Sequence, residues 1–269
     1  CAHQASSPQS RRDSADGLAT ASGWQQLRLP TETFVLTAYV PAQITPDRNL
    51  AIYIEGDGLA WTSKSRLSSD PTPQDPVGLK LALRHPRGAA AYLARPCQYV
   101  MGADAHDCTN TYWSQRRFAP EVIAASNQAI DELKQRFAAD RLVLVGYSGG
   151  GAVAALVAAR REDVSALITV AGNLDHRAWS RLHHVTPLEG SLNPADAWQA
   201  LSAIPQLHLV GRDDHNVSPE IVESYRQRFP AGQRPEVRII ADFDHTCCWV
   251  ERWAGLVGGW ISQPRASQQ

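Results

Sequence analysis

Residues 146–150 read Gly-Tyr-Ser-Gly-Gly and join an apolar run to an Ala- and Val-rich run. A serine held on a tight strand-to-helix turn takes strained dihedrals, and side chains two residues to either side would collide with the turn. Gly146 and Gly150 fit that need. The following helix aims its first amides at whatever reacts with Ser148, so the amide of Gly149 is placed to stabilise a developing oxyanion. A phosphate-binding turn would need a lysine or a second glycine spacing, and neither is present.

A serine hydroxyl needs a base, and histidine suits that task near neutral pH. Of nine histidines, His245 follows the last apolar strand run in the stretch Asp242–Phe243–Asp244–His245 and precedes the final helical run. His176, His183, His184 and His215 are rivals, in the 173–203 stretch or beside the acid. His3, His85, His106 and His208 read as surface or core residues. The acid that orients the base falls in residues 211–217, Gly-Arg-Asp-Asp-His-Asn-Val, at Asp213 or Asp214. An ordinary turn aspartate is the competing reading for both. A second oxyanion donor is expected from Glu55–Gly56–Asp57–Gly58–Leu59, from the amide of Asp57 or of Gly58.

The elements that must hold these residues come from hydrophobic periodicity. Strands are expected at 24–29 and 33–40, the second as an antiparallel edge strand, and at 49–55. A loop follows at 59–76, then short helices at 77–83 and 88–93. A helix starting at Pro120 presents Val122, Ser126, Ala129, Ile130, Leu133 and Phe137 on one face. Beyond it come strand 141–146, helix 149–161, strand 164–170, strand 206–210, helix 219–229, strand 236–241 and helix 249–261. Residues 173–203 carry no strand signal and are expected to cover the site. The alternation of strand and helix predicts a mostly parallel sheet with helices on both faces.

With these motifs in place, the chain from about Trp24 onward resembles the α/β-hydrolase superfamily of serine hydrolases. The resemblance implies that fold and the chain order Ser148, Asp214, His245. It selects Asp214 over Asp213, because the family often shows Gly, two residues, Asp, two residues, Val in this loop. It implies cleavage of a carboxylic ester or related acyl bond through an acyl-enzyme, without metal or organic cofactor. A peptidase or an acyltransferase would use the same residues, and a member that has lost catalysis would act as a binding or scaffold protein. The Glu-Gly-Asp-Gly loop departs from the His-Gly-Gly pattern of many lipases and esterases, so their substrates do not carry over. Trp61, Trp113, Trp179, Trp198 and Trp249 are candidates for pocket walls, none with an assigned role.

The 269 residues are 43% hydrophobic and carry 26 Lys plus Arg against 27 Asp plus Glu, a formal net charge of -1. That suffices for one large domain, expected at 23–264, with a short tail at 265–269. No basic run of the kind that reads nucleic acid is present, and no run of about 18 apolar residues that would span a membrane. The first residue is Cys1, and residues 2–22 are poor in large apolar groups. This suggests a lipid-bearing cysteine followed by a disordered tether over 1–22, in a protein of the cell envelope, periplasmic and lipid-anchored, or secreted. Expected partners are small-molecule or lipid esters, with the membrane touched only through that anchor. Leaving Cys1 aside, four cysteines remain. Cys97 and Cys108 flank a polar loop and suit a local disulfide. Cys247 and Cys248 are either a vicinal disulfide or two buried thiols.

Overall fold

The computed structural model describes residues 6–63 and 65–261. The chain runs α1 (Pro8–Ala21), β1 (Trp24–Pro30), β2 (Val35–Pro41), β3 (Asn49–Ile54), a small hairpin of β4 (Trp61–Ser63) and β5 (Arg66–Leu67), α2 (Val77–Leu83) and β6 (Ala89–Leu93). It continues with α3 (Pro120–Arg136), β7 (Arg141–Tyr147), α4 (Gly149–Ala158), β8 (Val164–Val170), α5 (His176–Leu182), α6 (Trp198–Leu201), β9 (Gln206–Gly211), α7 (Pro219–Arg226), β10 (Glu236–Ile240) and α8 (Trp249–Ile261).

One sheet of eight strands runs in the order β1-β2-β6-β3-β7-β8-β9-β10. The pairs β1·β2 and β2·β6 are antiparallel, and every pair from β6 to β10 is parallel. The central strands are apolar on both faces, as the sequence reading required. Leu142 and Leu144 of β7 pack on one side with Ile130 and Leu133 of α3 and the buried helix α4. Val143 and Val145 pack on the other with Leu79 of α2 and Trp253 of α8. The strands flanking β3 are β6 and β7, so the chain leaves β3 to one side and returns on the other. In such sheets ligands bind beyond the carboxyl ends of the strands, where the winding reverses. The loops that follow β3 and β7 meet there.

Four expectations change. The helix expected at 88–93 is instead strand β6, Ala89–Leu93. The run Ala-Ala-Ala-Tyr-Leu favours a helix in isolation, but here two strands offer it hydrogen-bond partners, and small side chains fit a fully covered position. Strand β2 is interior, since β1 covers its outer side and β6 its inner side. The 59–76 loop contains the β4–β5 hairpin.

The fourth change is at the N-terminus, where the expected disordered tether contains α1. Ser7 caps it by accepting from the Ser10 amide at 3.1 Å, and Pro8 occupies the first turn. Ala15 and Ala19 are buried against the sheet, with Tyr39 Oη donating to Asp16 at 2.5 Å. Arg11 and Arg12 both pair with Asp70. Small residues and polar contacts do here what large apolar groups do elsewhere. Cys1 and the 265–269 tail lie outside the described residues. No described helix is long and apolar enough to cross a membrane. Cys97 is bonded to Cys108 across a sequence separation of 11, and Cys247 is bonded to Cys248.

Candidate active site

Ser148 ends the turn after β7 with φ 52° and ψ -121°, a backbone state that a non-glycine residue holds only when its surroundings impose it. The glycines around it impose it. A Cβ on Gly146 would stand 2.3 Å from the Gly150 carbonyl oxygen, and one on Gly150 would stand 2.3 Å from that of Ile54. The backbone is further fixed by the Ser148 amide donating to Val170 at 2.9 Å and by the Asn173 amide donating to the Ser148 carbonyl at 3.1 Å.

Ser148 Oγ lies 3.0 Å from His245 Nε2, and His245 Nδ1 lies 2.8 Å from Asp214 Oδ2. The Asp214 side chain is wholly buried. Its other oxygen accepts from the amides of Asn216 and Val217, both at 2.8 Å. A buried carboxylate bonded in this way is a fixed acceptor, so it sets the proton of neutral His245 on Nδ1 and leaves Nε2 free to accept from Ser148. Asp213, by contrast, is exposed and contributes only its amide, to the Phe243 carbonyl.

The loop bearing His245 is held from two sides. The His245 carbonyl accepts from Tyr147 Oη at 3.1 Å and from Trp249 Nε1 at 3.2 Å. Asp244 accepts from the amides of Thr246 and Cys247, and those bonds hold its carboxyl below the usual range. Asn216 reaches across the site. Its Oδ1 accepts from Trp179 Nε1 at 3.2 Å, and its Nδ2 lies 3.2 Å from His245 Nε2. Because an indole can only donate, the Asn216 amide has one orientation.

Among the described residues the amides of Asp57 and Gly58, in the loop after β3, donate to no backbone group. Gly149 opens α4, where the helix field favours negative charge. The Asp57 side chain takes a part that the sequence did not disclose. Its carboxylate sits against Gly149, where a Cβ would be 2.0 Å from Oδ1. It is clasped by Arg95 Nη1 at 3.0 Å and Arg117 Nη1 at 2.6 Å. Arg95 also bonds the Arg117 carbonyl. Burial alone would raise the Asp57 carboxyl, but the two guanidinium groups outweigh it and hold the group below its ordinary range. Beside it, Glu55 accepts from the amides of Gly56, Gly78 and Leu79 and from Tyr92 Oη. Its burial pushes the carboxyl up. The loop after β3 is thus anchored to α2 by Glu55 and to the 95–117 region by Asp57.

A cavity of about 450 Å³ opens over Ser148, walled by Trp61, Trp179, Val217, Arg117, Asn173 and Thr246 among others. Trp61 and Trp179 line it, whereas Trp249 works from beneath, and Trp113 and Trp198 lie outside it. The 173–203 excursion reaches the site through Asn173 and Trp179. The rival histidines fall elsewhere. His176 is buried against Phe118, His183 bonds the Asn216 carbonyl, and His184 and His215 are exposed. A larger cavity of about 640 Å³ on α5 contains none of Ser148, Asp214 and His245. Among the described residues, no three His, Cys, Asp or Glu side chains gather as a metal site would require.

Solved structures share this layout. An esterase from Pyrococcus furiosus superposes with a TM-score of 0.59 at 13% identity, over 88% of this chain and 91% of that one. The chain has the α/β-hydrolase fold. A serine hydrolase without a lid from Xanthomonas campestris gives a TM-score of 0.55 at 17% identity, over 89% and 96% of the two chains. An α/β serine hydrolase homologue from Coxiella burnetii gives 0.58 at 16%, over 88% and 96%. No protein-family model matches the chain, and no curated protein matches it in sequence. Identities this low carry the architecture and leave the chemistry to the site itself.

Proposed function

We propose that the protein is a serine hydrolase that cleaves a carboxylic ester or related acyl bond. The observation that carries this reading is the unbroken line from Ser148 Oγ through His245 to buried Asp214, set on a strained turn beneath a cavity. The esterase and serine hydrolases among its structural neighbours favour an ester over other acyl compounds. Ser148 Oγ attacks the carbonyl carbon while its proton passes to His245 Nε2. The oxyanion that forms is held by the Gly149 amide and by that of Asp57 or Gly58. Collapse breaks the bond to the leaving oxygen, which takes the proton from His245. Water then adds to the acyl-enzyme by the same route: it gives one proton to His245, which passes it to Ser148 Oγ as that oxygen leaves, and the other proton stays with the acid product.

The test is labelling with a fluorophosphonate probe and turnover of p-nitrophenyl esters, comparing the native protein with Ser148→Ala. Labelling confined to the native protein is expected, with a fall in kcat of roughly 10⁶-fold in the variant. Well-folded native protein that neither labels nor turns over any ester would sink the proposal and favour a binding role. We also propose a cell-envelope location through a lipid on Cys1. Metabolic labelling with palmitate should mark the native chain and spare Cys1→Ser.

A further inference from the structure

Asn173 follows the turn after β8, and its amide nitrogen is bonded to the carbonyl of Ser148 itself. The residue is only 4% exposed and lines the cavity over the nucleophile. Its side-chain Oδ1 is buried with no hydrogen-bond partner among the described residues. Three other amide side chains, one of them in the same cavity, are engaged. Asn216 is held by Trp179, Asn193 donates to Asp175 at 3.0 Å, and Gln98 donates to the Gly56 carbonyl at 2.9 Å. A buried amide oxygen without a donor costs about 1–3 kcal/mol, so an unsatisfied one beside a nucleophile points to a ligand that completes it. Oδ1 is the enclosed end of the amide, and a half-turn exchanges Oδ1 and Nδ2, so the side chain turns either a donor or an acceptor toward the cavity.

We infer that Asn173 reads the substrate, and that the physiological acyl donor carries a hydroxyl or secondary amide close to the scissile carbonyl. Each of those groups can both donate and accept, so it can meet Asn173 in either orientation of the amide, which a plain alkyl chain cannot. The inference rests on Ser148 being the nucleophile. It sets substrate class by the penalty of leaving Asn173 unpaired, a mechanism that rejects analogues far more strongly than an apolar pocket does.

Matched esters test it. One pair is p-nitrophenyl N-acetylglycinate against p-nitrophenyl 4-oxopentanoate, in which a CH₂ replaces the N–H. The other is p-nitrophenyl 3-hydroxybutanoate against p-nitrophenyl 3-methylbutanoate, in which a methyl replaces the hydroxyl. In native protein at least one polar member should be favoured by about tenfold or more in kcat/KM. That ratio should collapse toward one in Asn173→Ala and persist in Asn173→Asp, which keeps the acceptor and the volume. Ratios below twofold for both pairs, with Ser148 still labelled by fluorophosphonate, would overturn the inference and leave the hydrolase reading intact. A preference that survives in Asn173→Ala would overturn it too, by placing recognition on another residue. Absence of labelling and of all turnover would remove the reading on which it stands, and the inference with it. If Asn173→Ala does not fold, the native ratios and Asn173→Asp decide the matter.

Discussion

Asp213 and Asp214 are neighbours with opposite fates. Asp214 is buried and bonded to His245, whereas Asp213 points to solvent. Asp214→Asn should lower kcat by about 10⁴-fold, because the amide can present its NH₂ to His245 and favour the wrong tautomer. Asp213→Asn should stay within about threefold, since a solvated turn residue contributes little. Steady-state kinetics on one p-nitrophenyl ester would check both, and equal effects would refute the assignment. At this scale the sequence disclosed residues whose position in a motif is diagnostic. Ser148 lay between two glycines, and His245 and Asp214 each followed a strand. It did not disclose Arg95, Arg117 or Asn216, because what matters for them is a partner 29 to 60 positions away in the chain, nor Asn173, whose place beside Ser148 comes from the fold, and no local pattern encodes such a placement.

The elements that hold the site make their own predictions. The loop after β3 is kept in place by Asp57 between two arginines, both less than a tenth exposed. Arg95→Met leaves Asp57 with one partner and should destabilise the fold by about 3 kcal/mol, the size of breaking a buried ion pair. Urea denaturation would measure it, and a change below about 0.5 kcal/mol would show the clasp to be dispensable. The disulfide between Cys97 and Cys108 closes a short loop next to Arg95, and Cys97→Ser with Cys108→Ser should lose about 2–3 kcal/mol in the same assay. Strands of mixed β-branched and large apolar residues were legible, as were the helices with a clear apolar face. The poly-alanine strand β6 and the helix α1 were not. In both, the deciding contacts are made by small side chains whose preference is set by their neighbours in space rather than in sequence.

The molecule as a whole should be sensitive to acid, and the sign follows from its buried histidines. Burial lowers the pKa of His208 to about 3 and that of His85 to about 4. Unfolded histidine titrates near pH 6.5. Below that pH the unfolded chain binds protons that the folded chain refuses. The stability these groups contribute is therefore complete above about pH 6.5 and is lost as pH falls toward their folded values. Asp57 and Asp163 act in the same direction at lower pH. Burial would raise both, but their arginine and lysine partners prevail, and Asp163 is brought down to about 2. Their contribution is present above about pH 4 and disappears as pH falls through their folded values. Thermal unfolding followed between pH 4 and 8 should show Tm falling below pH 6.5, with a shallower fall in His208→Gln. The docking of α1 bears on distance. If Cys1 carries a lipid, the chain between it and α1 can span at most roughly 20 Å, at about 3.3–3.6 Å per residue. A tether of the whole 1–22 segment would have allowed roughly 70 Å. A lipid at Cys1, as proposed, would then hold the sheet and the cavity over Ser148 within a short, fixed distance of the surface that carries it.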